Sequence, residues 1–96
     1  GVPDVFALKQ NFPNPFNPLT RIRYQLPEES LVTIRIYDIM GRAVRILVSG
    51  QKEFTGYHQV TWDATNNSGE PVSAGMYLYV IQAGRFRDTR KMVLMK

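Results

Sequence analysis

At 96 residues, 44% hydrophobic and 11% aromatic, the chain holds material for one compact core and leaves no room for two domains. Cysteine is absent, which excludes disulfides, thiolate metal centres and cysteine nucleophiles. The net charge of +4 lies largely late, in Arg85, Arg87, Arg90, Lys91 and Lys96, with only Phe86 as a nearby aromatic. Nucleic-acid binding, which wants cations interleaved with exposed rings, is therefore disfavoured. No apolar run approaches the ~18 residues of a spanning helix.

Residues 1–9 read as connecting chain. Gly-Val-Pro at the start, without an initiator methionine or hydrophobic signal core, points to a piece of a larger protein. The next nine residues, Gln10 to Pro18, read QNFPNPFNP and pack three prolines and two phenylalanines together. Proline fixes its own φ, lacks an N–H and biases the preceding residue toward extended backbone, so neither helix nor central strand forms here. The expectation is a stiff ribbon pressing Phe12 and Phe16 onto the end of a neighbouring core. Serving as ligand for a proline-binding groove is the weaker alternative.

From there the chain alternates with period two and nowhere sustains helical spacing. Ile22, Tyr24 and Leu26 alternate with Arg21, Arg23 and Gln25 until Pro27. Val32, Ile34 and Ile36 oppose Thr33, Arg35 and Tyr37, as in an antiparallel sheet with one wet face. Asp38 to Arg42 reads DIMGR, a hairpin signal: Asp38 can accept from amides ahead of it and Gly41 can take positive φ. Val44, Ile46 and Val48 continue on the returning strand, which Ser49 and Gly50 are expected to end.

A fourth strand sets His58, Val60 and Trp62 against Tyr57, Gln59 and Thr61, with Trp62 at the centre of the core and its indole N–H in need of an acceptor. Asn66 to Gly69 is a turn, and Val72 opens a short strand. Residues 76–83 and 86–95 form the longest hairpin, closed by Gly84-Arg85 as a type II′ turn. That turn pairs Tyr77 with Met92 and Tyr79 with Arg90. Both faces of the first of these strands are apolar, Leu78 and Val80 opposing Tyr77, Tyr79 and Ile81. Such a strand is doubly covered or partly kept for a partner. The expected fold is all-β, an immunoglobulin-like sandwich of about seven antiparallel strands.

Catalytic chemistry finds little to use. His58 is the only histidine, no serine sits in a nucleophile elbow, and no pair of carboxylates stands out by spacing. The run DATNNSGE, Asp63 to Glu70, offers oxygens near a glycine but lacks the EF-hand order, so a plain turn is favoured over calcium binding. No catalytic, cofactor or metal residue is assigned.

Four stretches taken in order, LKQNFPNPFNPLTRIRYQLP, VTIRIYDIMGRAV, GYHQVTWDATNNSGEPVSAGMYLYVIQAG and RKMVLMK, resemble the C-terminal sorting domains of the Por, or type IX, secretion system. That family is akin to the immunoglobulin-like domain of flagellar hook-capping proteins. The resemblance runs from about Ala7 to Lys96; Thr55 stands where the family often has a small residue before the glycine of AGxH. It implies a folded, non-catalytic signal spanning residues 10–96 that follows a covalently linked N-terminal cargo. Its implied partners are the outer-membrane secretion machinery and a sortase-like peptidase, and it passes from periplasm to cell surface. The resemblance puts translocon recognition at Lys91, Val93, Met95 and Lys96, and makes Tyr37, Gly41, Gly75 and Tyr77 structural motif residues beside Phe12, Phe16 and Trp62. Two rivals remain: a structural or interaction spacer, and a carbohydrate-binding module that would need Tyr57, Tyr79 and Phe86 in an exposed row.

Overall fold

The computed structural model describes all residues, 1–96, and contains strands and no helix. The elements are β1 (Ala7–Leu8), β2 (Thr20–Leu26), β3 (Ser30–Asp38), β4 (Ala43–Glu53), β5 (Gly56–Trp62), β6 (Gly75–Ala83) and β7 (Phe86–Leu94). They form two antiparallel sheets, β1-β2-β5 and β4-β3-β6-β7, packed face to face. This is the expected immunoglobulin-like sandwich.

Period-two alternation decides which side chains meet between the sheets. Ile22, Tyr24 and Leu26 of β2 and Trp62 of β5 face Val32, Ile34 and Ile36 of β3 and Tyr77, Tyr79 and Ile81 of β6, all buried. Trp62 sits among aromatics, edge-on to Tyr77 at 5.3 Å and tilted against Phe16 at 5.7 Å. Its indole N–H donates to Thr65 O at 2.9 Å, so the buried polar atom is satisfied.

The two hairpin signals form as their residues dictate. Asp38 Oδ1 accepts from the N–H groups of Met40 and Arg42 at 2.9 and 3.0 Å, and Gly41 takes φ +80°. Gly84 adopts φ +59° and no positive φ occurs at Arg85, as a type II′ turn requires. Tyr77 pairs with Met92 and Tyr79 with Arg90, the register read from the sequence.

Four expectations change. First, β4 does not stop at Ser49 and Gly50 but runs on to Glu53. Register shifts between β3 and β4 fall after Val32, Ile34 and Ile36, and Gly50 takes φ +57°. Each bulge sets two residues against one and resets the alternation, so Ile46 opposite Arg35 is exposed while Val48 is buried. Second, Val72 opens no strand; a single bridge joins Thr65 to Pro71, and Val72 N–H donates to Ala64 O at 3.0 Å.

Third, the ribbon buries one phenylalanine of its two. Phe16 is 2% exposed against Trp62, whereas Phe12 is 65% exposed. The Phe12 backbone exchanges two 2.9 Å hydrogen bonds with Arg21, which holds the residue beside β2 and turns its ring outward. Fourth, the segment read as connecting chain contributes to the sandwich. Ala7 and Leu8 pair with Gln25 and Tyr24, Leu8 is buried, and Phe6 stacks on Phe86 at 5.2 Å.

Candidate functional site: the last strand and its proline ribbon

The residues assigned to recognition sit on and just beyond β7, which is an edge strand of the four-stranded sheet. A two-residue hairpin makes Ala83 and Phe86 its closing pair, so even-numbered residues of β7 bond to β6 and odd-numbered ones aim N–H and C=O at the free edge. The same parity alternates the side chains. Met92 and Leu94 point into the core, fully buried, while Lys91 and Met95 are exposed and Val93 is half-buried on the outer face. Lys96 lies beyond the strand, exposed. Lys91 stands opposite Leu78 and Val93 opposite Met76.

The edge itself is not bare over this stretch. Phe16 N–H donates to Val93 O at 3.0 Å and Met95 N–H to Phe16 O at 2.9 Å, a short parallel bridge. Val93 N–H donates to Asn14 Oδ1 at 3.0 Å, and Gln10 Nε2 donates to Lys91 O at 2.7 Å. The ribbon is thus a partial extra strand: its prolines lack N–H groups, so the residues between them and their side-chain amides and carbonyls do the pairing.

Tyr79 anchors the ribbon from below. Its hydroxyl accepts the Asn11 N–H and donates to Lys9 O, both at 2.7 Å. Burial pushes its pKa up from 10.0 to about 12, against the lowering effects of the Asn11 N–H and of Arg90. Asn11, itself buried, donates through Nδ2 to Thr20 Oγ1 at 2.9 Å and Pro13 O at 3.2 Å, and Thr20 Oγ1 donates to Pro13 O at 2.8 Å. Sequence reasoning gave Asn11 and Thr20 no role. The available signal was the run of amide side chains, Gln10, Asn11, Asn14 and Asn17, in a stretch whose prolines prevent regular backbone pairing.

The remaining motif residues lie within the fold as follows. Tyr77 is buried, edge-on to Trp62, and its hydroxyl donates to Ser73 O at 2.6 Å; burial and then the Asp38 carboxylate raise its pKa. Gly75 takes φ +145°, a conformation that a side chain would strain, where the chain enters β6. Tyr37 is half-buried on the outer face opposite Leu78. Leu78 and Val80, the second apolar face of β6, are half-buried beside Arg35, Thr89 and Lys91 and no other layer covers them.

Elsewhere the candidate groups serve the fold. His58 stacks on Tyr24 at 5.4 Å, sets Nε2 2.7 Å from Phe54 O and Nδ1 3.6 Å from Glu53, which accepts the Tyr24 hydroxyl at 2.6 Å. In the Asp63–Glu70 loop, Asn66 Oδ1 accepts from the N–H groups of Ser68 and Glu70, and Asn67 Oδ1 accepts from Ile46 N–H. The Asn66 oxygen closes the loop on itself and the Asn67 oxygen holds it against β4. The row of rings needed for a carbohydrate platform does not exist: Tyr57 is 68% exposed, Tyr79 is fully buried in the core, and Phe86 lies under Phe6.

Comparison with known proteins places this architecture. The chain superposes on part of the dimeric latent PorU of Porphyromonas gingivalis with a TM-score of 0.71 and 26% identity, covering 90% of this chain and 9% of that one. It superposes on part of PorZ from the same bacterium, an essential surface component of its type IX secretion system, with a TM-score of 0.63 and 18% identity, covering 97% and 12%. The chain therefore spans a small fraction of the solved chains it matches. No curated protein matches it. The FlgD Ig-like domain family matches residues 19–85, more than half of the sequence and all of β2 to β6, and the chain belongs to that family.

Proposed function

We propose that this sandwich is a non-catalytic sorting domain that directs a covalently linked cargo through an outer-membrane translocon of the type IX kind to the cell surface. The observation that carries this reading is the arrangement of β7. It is an edge strand whose buried residues lock it to the core while Lys91, Met95 and Lys96 stay exposed where the family resemblance puts recognition. The fold shared with parts of PorU and PorZ fits the same assignment. In this reading the domain is the substrate of the machinery and of a sortase-like peptidase, and the half-buried Val93 supports the strand between two exposed contacts.

The fold dictates how to test it. Deleting residues 92–96 would remove Met92 and Leu94 from the core and confound recognition with unfolding. Substituting Lys91→Glu, Met95→Ser and Lys96→Glu together changes only exposed side chains. Fused behind a reporter in a host with a working type IX system, the unaltered domain brings the reporter to the surface and the triple variant leaves it in the periplasm. Equal surface export by both, with matching thermal midpoints, contradicts the assignment. Export that persists when the whole domain is removed favours the spacer reading.

A further inference from the structure

We infer that β7 receives its partner by strand addition at Arg87–Lys91, and that the added segment is an extended, acidic stretch of a protein. This rests on reading β7 as the recognition strand and moves the main contact from the tail to the strand's middle. The ribbon already occupies the edge at Lys91 O, Val93 and Met95. Next to it the edge keeps unpaired backbone groups, with β1 of the other sheet passing alongside and tied to it through Arg90 Nε and Leu8 O. Arg87 N–H and C=O, Thr89 C=O and Lys91 N–H aim outward without an intramolecular partner, and Thr89 N–H meets only the adjoining Asp88 carboxylate at 2.8 Å. Beside it, on the outer face of the sheet, lies a depression lined by Gln10, Leu78, Thr89, Arg90 and Lys91. At Phe16 this edge already makes an isolated parallel bridge.

Charge selects the occupant. Arg87 and Lys91 are exposed on the outer face, with Arg85 at the turn, and none has a carboxylate within ion-pair distance; the chain's ion pairs are Arg42–Asp38, Lys52–Glu29 and His58–Glu53. Arg90 reaches the other way, donating through Nε to Leu8 O at 2.7 Å. A second copy of β7 would set these cations against their own kind, which disfavours self-pairing. A strand bearing glutamate or aspartate on alternate positions meets them while its backbone completes the ladder.

Proline at Thr89 separates this mechanism from side-chain docking, because the Thr89 N–H points away from β6 and its loss leaves the β6–β7 ladder whole. The full chain is titrated with the peptide acetyl-Glu-Val-Glu-Val-Glu-Val-Glu-amide and followed by amide NMR and hydrogen exchange. The expected result is shift and slowed exchange at Arg87, Thr89 and Lys91, with affinity falling about tenfold or more in Thr89→Pro and in Arg87→Glu/Lys91→Glu. A lysine-for-glutamate peptide binds at least about tenfold more weakly. Equal binding by folded Thr89→Pro, or shifts confined to β5, overturns the inference. Should Thr89→Pro fail to fold, the charge-reversal variant decides, and undiminished binding by it overturns the inference. In the reporter assay, export lost in Met95→Ser/Lys96→Glu but kept in folded Thr89→Pro and Arg87→Glu overturns strand addition while leaving the sorting reading intact. Export kept in all three overturns both.

Discussion

The two open flanks of the sandwich face the same problem and solve it differently. On the β1/β7 flank, the proline ribbon lies along the edge and is fixed by single backbone bonds, side-chain amides and the Tyr79 hydroxyl. On the β4/β5 flank such cover is limited to Asn67 beside the start of β4. There β4 is broken by three register shifts, Asn67 donates to Val44 O and accepts from Ile46 N–H, and the Glu53–Tyr24–His58 cluster ties the sheets together. Bulges twist an edge away from pairing at no cost in covering chain, whereas a ribbon leaves an edge straight and regular beside it. The flank that stays regular is the one that can still accept a strand.

Removing the apolar plug should break this contrast most strongly. Phe16→Ala leaves a void beside Trp62 and is expected to cost about 3–5 kcal/mol in urea unfolding, whereas the equally conspicuous Phe12→Ala should cost under about 0.5 kcal/mol. Equal losses at both sites would mean that the exposed ring is packed in solution. Next, Tyr79→Phe strips the Asn11 N–H of its acceptor and should lose about 1–3 kcal/mol, with faster hydrogen exchange at Asn11 and Val93. Unchanged exchange at Val93 would show that the ribbon holds the edge without this anchor.

On the other flank, Glu53→Gln weakens the bond from the Tyr24 hydroxyl and should cost about 1 kcal/mol. Combined with Tyr79→Phe it should add within about 0.5 kcal/mol, since the two sites share no partners. Marked coupling between them would join the flanks through the core. A further effect is alkaline. Tyr79, with its pKa raised from 10.0 to about 12, and Tyr24, also raised, stay protonated in the fold after the unfolded chain has begun to ionise. Their contribution is whole below about pH 10 and is lost as pH climbs through the folded values, so stability should fall over that window and fall less steeply in Tyr79→Phe. At the acid end the sign reverses for Asp38. Its pKa is lowered by the Arg42 and Met40 amides and the Arg42 side chain, so the turn's contribution fades as pH drops below the ordinary carboxylate value.

Much of the sandwich is legible residue by residue. Ile22-Tyr24-Leu26, Val32-Ile34-Ile36 and Tyr77-Tyr79-Ile81 face inward because a strand's side chains alternate, and the Gly84 turn sets the register of the last hairpin without help from elsewhere. Ile46 escapes this reading because a bulge leaves no trace in apolar spacing. Phe12 escapes it because two phenylalanines in a proline run look alike until Arg21 claims the backbone of one. Of the candidate site, the sequence pointed to Lys91, Val93, Met95 and Lys96 through a resemblance; that Asn14, Gln10 and Phe16 already occupy part of that edge depends on contacts nearly eighty residues apart.

What the chain determines by itself is local: all-β class, inward faces, turn types, and a segment too rich in proline to be a central strand, since these follow from alternation and backbone stereochemistry. What only the tertiary structure decides is which strand ends a sheet, which edge groups remain free, and which buried hydroxyl reaches across to hold the ribbon. Those outcomes belong to pairs of residues brought together by sheet order, and period-two alternation fixes the face of a residue without naming its neighbour.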